Sequence, residues 1–133
     1  MKKIPEHFCP QPFTYIYTNH AGSWKPCCKT NNWPIKNMPF EEYWYEDKDL
    51  YDLRMSFITG ENTEIKRKTC AVCMSSESRG IKSYRQHSVE KIKDDHLLLS
   101  MVNNFISTGY IMTSEPVFTL KLRGLGNTCN LKC

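Results

Sequence analysis

No stretch of the sequence comes near the run of about eighteen apolar residues that a membrane-spanning helix needs. The opening Met1-Lys2-Lys3-Ile4-Pro5-Glu6-His7 has no apolar segment behind its lysines, which excludes a secretory signal of the usual kind. Internal repeats and low-complexity tracts are absent. Cationic density is also lacking: 18 Lys+Arg against 14 Asp+Glu give a formal +4, too little for the basic face of a dedicated nucleic-acid binder. The run Lys66-Arg67-Lys68 therefore reads as a solvated face. With 133 residues there is room for one domain, or for one domain and the start of another, but not for a complete multidomain enzyme. Hydrophobic residues at 40% and charged residues at 24% exclude wholesale disorder. These absences together predict a soluble, unexported, cytoplasmic protein with neither a membrane nor a nucleic acid as partner.

Cysteine is what the chain does have. Its seven cysteines are Cys9, Cys27, Cys28, Cys70, Cys73, Cys129 and Cys133, an odd number without a secretion signal, which argues against a disulfide framework. Clustered thiols in a reducing compartment point to metal. Cys70-Ala71-Val72-Cys73 is a CxxC pair, whose two intervening residues let a turn aim two thiolates at one ion or cluster. Cys9 with Cys27 or Cys28 would complete four thiolates, the donor set of both structural zinc and a [4Fe–4S] cluster, and spacing alone leaves both open. The second thiol of the Cys27-Cys28 pair, Cys28, reads as a small packed residue beside the ligands or as an alternative ligand. Lys25 and Lys29 near one pair, and Lys66, Arg67 and Lys68 before the other, would favour thiolate. Amides of the Cys70–Cys73 turn could hydrogen-bond to sulfur. A thiol redox role for Cys70 and Cys73 is disfavoured because no βαβ pattern surrounds them. His7, His20, His87 and His96 are irregularly spaced and read as surface or packing residues. The tryptophans at 24, 33 and 44 and the tyrosines at 15, 17, 43, 45 and 51 are expected to cover the small core and shield the metal site.

The fold class expected is α+β. Six of the seven prolines fall in the first forty residues, where no helical period is visible, so a loop-rich entry built around a hairpin is expected there. Phe13–Thr18 is β-branched and aromatic, Asn19-His20-Ala21-Gly22 has turn chemistry, and Ser23-Trp24-Lys25 returns the chain to Cys27, near Cys9. Leu50, Leu53, Phe57 and Ile58 predict a helix over 48–59, with Asp47 or Asp49 as N-cap and Gly60 closing it. Ile81, Tyr84, Ser88 and Ile92 predict another over 81–92. Leu97, Leu98, Met101, Val102, Phe105 and Ile106 predict a third that ends before Gly109. After Pro116 the period changes to two, with Phe118, Leu120 and Leu122 alternating against polar neighbours, so a strand is expected that runs directly into a cysteine loop.

The pattern C-x12-G-x4-C over Cys9, Gly22 and Cys27, followed by Cys70-x2-Cys73, resembles the twitch form of the SPASM auxiliary-cluster domain of radical S-adenosylmethionine (radical SAM) enzymes. Pro12-Phe13, Gly22-Ser23-Trp24-Lys25-Pro26-Cys27-Cys28, the Leu50-x2-Leu53-Arg54 helix closing on Gly60-Glu61, and Glu77-x2-Gly80-x2-Ser83-x-Arg85 carry the likeness over most of 9–87. The tail, Leu120-Lys121-Leu122-Arg123-Gly124-Leu125-Gly126-Asn127-Thr128-Cys129-Asn130-Leu131-Lys132-Cys133, is similar to the first barrel strand of a radical SAM core and the start of its CxxxCxxC loop. The order, cluster domain before barrel, is similar to that of twitch radical SAM proteins of some bacteriophages, which would place the protein in the host cytoplasm.

The resemblance implies a division into an auxiliary iron–sulfur domain over 1–92, a helical connector over 93–115 and the start of a radical SAM core over 116–133. It implies one auxiliary [4Fe–4S] cluster on Cys9, Cys27, Cys70 and Cys73, suited to electron relay. Cys129 and Cys133 would be the first two ligands of a second [4Fe–4S] cluster, which in the complete protein cleaves S-adenosylmethionine to a 5′-deoxyadenosyl radical. The third ligand would stand three residues beyond Cys133, so the sequence reads as the N-terminal part of a longer enzyme, inactive by itself. A flavodoxin or ferredoxin reductant and a peptide or protein substrate are implied as partners. No catalytic residue is assigned; Glu77 and Arg85 fit a structural ion pair as well as they fit catalysis. The alternative from another class is a non-enzymatic four-cysteine zinc module that serves as an interaction domain.

Overall fold

The computed structural model describes residues 1–19 and 21–111, and residues 119–121 as backbone. Cys129, Cys133, His20 and the ends of the predicted 118–122 strand lie outside the described residues. Among the described residues the architecture is α+β, with seven helices and a small sheet. A short helix α1 (Gln11–Thr14) leads into β1 (Tyr15–Thr18), which pairs antiparallel with β2 (Trp24–Lys25) in the register Tyr17 to Lys25 and Thr18 to Trp24. Asn19 forms the turn chemically: its side-chain oxygen accepts from the amides of Ala21 and Ser23, both at 3.0 Å. Gly22, at φ 77°, supplies the left-handed residue that the reversal requires. The segment β3 (Thr119–Lys121) lies parallel to the other edge of β1, giving the order β2-β1-β3. The hairpin is thus as the sequence suggests, and the tail strand shares its sheet.

The helices follow from their caps. Helix α2 (Phe40–Glu46) begins after Pro39 with Glu41 and Glu42 in its first turn, where carboxylates suit the helix dipole. The Asp47 carboxylate, accepting from the Leu50 amide at 3.0 Å, starts α3 (Lys48–Thr59), and Gly60 at φ 80° ends it, as predicted. Thr63 caps α4 (Glu64–Thr69), and Cys70 separates it from α5 (Ala71–Ser78). Ser83 and Gln86 form a reciprocal capping box, so α6 (Tyr84–Ile92) starts three residues later than its predicted start, and Ile81 is left 53% exposed outside it. Asp95 and Gly109 bound α7 (His96–Thr108). Among the described residues no helix is long and apolar enough to cross a membrane.

The core joins the N-terminal segment to α3 and α7. Phe8, Phe13, Leu50, Leu53, Phe57, Leu98, Met101, Val102 and Phe105 are buried together, so the helix placed in the connector by sequence contributes to the same core as the cysteine-bearing segment. Phe13 stacks on Phe8 at 5.1 Å and meets Phe105 edge-on at 5.7 Å. Within this core lies Arg54, only 3% exposed. Its Nε donates to the Pro12 carbonyl at 2.9 Å and its Nη1 to the Trp44 carbonyl at 2.7 Å, while the guanidinium lies 4.5 Å from the Trp44 ring centre. Burial pulls its pKa down to about 9, which still leaves it cationic at neutral pH. A buried cation therefore fixes the chain just beyond Cys9.

Candidate metal centre

Three segments bring Cys9, Cys27 and the pair Cys70 and Cys73 to the lining of one cavity. Cys9 lies between two anchored carbonyls: Arg85 donates to that of Phe8 at 2.9 Å and Arg54 to that of Pro12. Cys27 follows β2 and the buried Pro26. The Thr30 hydroxyl closes that loop on the Cys27 carbonyl at 2.6 Å, and the Asn31 amide donates to the Thr69 carbonyl at 3.0 Å, tying the loop to the end of α4. Cys70 stands between α4 and α5, and Cys73 in the first turn of α5. Cys70 makes no capping bond through its side chain, so its sulfur is left to the cavity. Helical backbone thus replaces the turn expected at CxxC.

Cys28 is directed elsewhere. Its thiol hydrogen-bonds with the hydroxyls of Tyr15 and Tyr84, and Cys28 is not among the residues lining the cavity. Burial, with the Cys28 and Cys27 sulfurs behind it, pushes Tyr84 up to about 12. Position, not spacing, therefore separates the two members of the Cys27-Cys28 pair.

Burial disfavours the thiolate at three of these four cysteines. Burial is the first cause that pushes Cys27 and Cys70 up to about 12 and Cys9 well above the ordinary thiol value, and the neighbouring sulfurs add to the effect. Amide donors oppose it: the Lys29 N–H reaches Cys27 Sγ at 3.3 Å, and the Gln11 N–H serves Cys9. These donors stand two residues past Cys9 and Cys27, not in the Cys70–Cys73 segment where the sequence placed them. Of the basic run, only Lys66 acts on the thiols, lowering Cys70; Arg67 bonds the Asn62 carbonyl and Lys68 pairs with Glu64 at 2.7 Å in solvent. The second cation at Cys70 is Arg85, which the sequence leaves open between catalysis and a structural ion pair. The ion pair is formed: Arg85 Nε meets Glu77 at 2.8 Å, and the Ser83 hydroxyl donates to the same carboxylate oxygen at 2.6 Å.

The shielding expected of tryptophans and of tyrosines 15, 17, 43, 45 and 51 is supplied by other residues, since Pro12, Pro26, Leu53, Phe57 and Tyr84 line the cavity. Tyr43 and Trp44 are core residues at 1% exposure, and Tyr45 and Tyr51 are exposed. His7, His87 and His96 are exposed, as predicted for surface residues. Two buried polar atoms in the lining have no partner, Gln11 Oε1 and Thr69 Oγ1. Four soft sulfur donors, two amide–sulfur bonds and an unused hydroxyl around one cavity suit a thiolate-bound metal group. Among the described residues, no three Cys, His, Asp or Glu side chains are gathered as the ligands of one metal ion, so the thiols stand around the cavity without meeting at a point. Comparisons with protein-family models, with curated proteins and with solved structures found no match to this chain.

Proposed function

We propose that this chain is the N-terminal auxiliary-cluster unit of a radical SAM enzyme and that Cys9, Cys27, Cys70 and Cys73 hold one [4Fe–4S] cluster. The observation that carries the reading is that four of the five cysteines among the described residues line one cavity. A single zinc ion, with Zn–S bonds of about 2.3 Å, would draw its sulfurs to within roughly 3.8 Å of one another. The choice of a polynuclear group over zinc rests on the likeness of the C-x12-G-x4-C and CxxC pattern to auxiliary-cluster domains. When bound, such a group supplies one-electron chemistry that the side chains alone lack. The residues hold it and exclude water: Pro26, Leu53 and Phe57 wall the site, the Lys29 and Gln11 amides and the Lys66 and Arg85 cations offset its negative charge, and a full set of four thiolates leaves electron relay as the role.

In this reading β3 is the first strand of the catalytic barrel, and Cys129 and Cys133 are ligands of the SAM-cleaving cluster in the complete protein. Flavodoxin or ferredoxin would be the reductant and a peptide or protein the substrate. These assignments rest on the likeness of the tail and of the C-x12-G-x4-C pattern. The test is anaerobic reconstitution with iron and sulfide, followed by electron paramagnetic resonance of the dithionite-reduced protein. Cys27→Ser is expected to lose the signal and Cys28→Ser to keep it; equal loss in both, or no signal in the unaltered chain, would overturn the assignment.

A further inference from the structure

Thr69 is 2% exposed, immediately precedes Cys70 and lines the cavity with the four thiols. A hydroxyl in a helix ordinarily has a local acceptor, the carbonyl four residues back. This molecule uses that solution repeatedly: Thr14, Thr59, Ser76, Ser88, Ser107 and Thr108 each donate to the carbonyl at i−4, at 2.7–3.2 Å. Thr69, at the end of α4, does not, and its Oγ1 has no partner. The Thr69 carbonyl is engaged by the Asn31 amide, so the peptide is fixed while the hydroxyl is left unused. A buried hydroxyl left unpaired loses its hydration without compensation, which makes such a group worth explaining. Gln11 Oε1, the other unpartnered atom of the lining, is an acceptor, and a thiolate has no proton to give it.

We infer that the Thr69 hydroxyl is a hydrogen-bond donor to a sulfur of the bound metal group and sets its reduction potential. The inference rests on the iron–sulfur reading above. A donor aimed at sulfur favours the form that carries more negative charge, which is the reduced form. No bond is made or broken and the proton stays on Oγ1; the electron comes from the external reductant. Thr69→Val keeps the shape and removes the donor, whereas Thr69→Ser keeps the donor.

The experiment is a mediated redox titration of the reconstituted protein and both variants, with iron and sulfide counted on each and the metal-free proteins melted in parallel. In Thr69→Val the ratio of reduced to oxidised protein at fixed potential is expected to fall about tenfold, a midpoint lower by about 59 mV for one electron. Thr69→Ser should stay near the unaltered value, and metal-free Thr69→Val should melt no lower than the parent. A fully loaded Thr69→Val with an unchanged midpoint, or equal shifts in both variants, would overturn the inference and leave the cluster reading standing. An unaltered chain that takes up no iron and sulfide would overturn both.

Discussion

Replacing Arg54 by Leu tests whether the core is built around a buried cation. The change strips the Pro12 and Trp44 carbonyls of donors held at 2.9 and 2.7 Å. Each buried carbonyl left without a partner costs about 1–3 kcal/mol. The guanidinium contact with Trp44, at 4.5 Å from the ring centre, contributes up to about 2 kcal/mol when desolvated. Against these stands relief from burying a charge, a cost of several kcal/mol visible in the depressed Arg54 pKa and in the unpartnered Nη2. The carbonyls stay buried in the variant, so the losses win, and a net destabilisation of about 2–4 kcal/mol is expected. For a chain of this size that lowers Tm by about 7–14 °C. Arg54→Lys, with one compact donor in place of a fork, should fall between. Thermal and urea unfolding of the metal-free proteins measure this directly. Arg54→Leu as stable as the parent would refute the reasoning and make Arg54 a tolerated burden. Because Pro12 lies three residues past Cys9, the leucine variant is also expected to take up less metal per chain.

Two further changes bear on the frame of the site. Lys36, which meets Asp47 at 2.8 Å and Asp49 at 2.6 Å, has a raised pKa because the two carboxylates outweigh the effect of burial. Lys36→Met should cost about 2–3 kcal/mol, since it leaves Asp47 buried without its cation. A folded pKa above the unfolded value of about 10.4 gives a contribution complete below that pH and lost as pH rises through the folded value. The gap between parent and variant in urea unfolding should therefore be flat from pH 6 to 9 and shrink in stronger alkali; a gap that widens there would contradict the sign. Gly60→Ala should cost about 1–2 kcal/mol in the same assay, because the residue sits at φ 80° and a Cβ would come within 3.3 Å of the His7 ring.

What was legible in the sequence was what periodicity and spacing encode. The 48–59 helix, the hairpin and the helix before Gly109 carried strong patterns, and the cysteine spacing brought out Cys9, Cys70 and Cys73 together with Cys27 or Cys28. Short helices were lost because α2 and α4 are under two turns, too short to show a period. Their end signals were nonetheless present: Pro39 before Glu41-Glu42, and Thr63-Glu64 ahead of Lys66-Arg67-Lys68, acidic at one end and basic at the other. The basic run reads as a solvated face when only its charge is considered and not its position relative to Thr63. Arg54, Arg85 and Thr69 could not be ranked from sequence, since each owes its role to a partner many residues distant or, for Thr69, to the lack of one. Cys28 differs from Cys27 only by which way the chain turns after Pro26.

The most direct test of the central claim is the content of iron, acid-labile sulfide and zinc per chain in anaerobically purified protein, compared with the Cys70→Ala, Cys73→Ala double variant. The account predicts about four irons and four sulfides per chain and their loss in the variant. About one zinc without sulfide, in protein never exposed to oxygen, would contradict it and make the four thiols a structural zinc site.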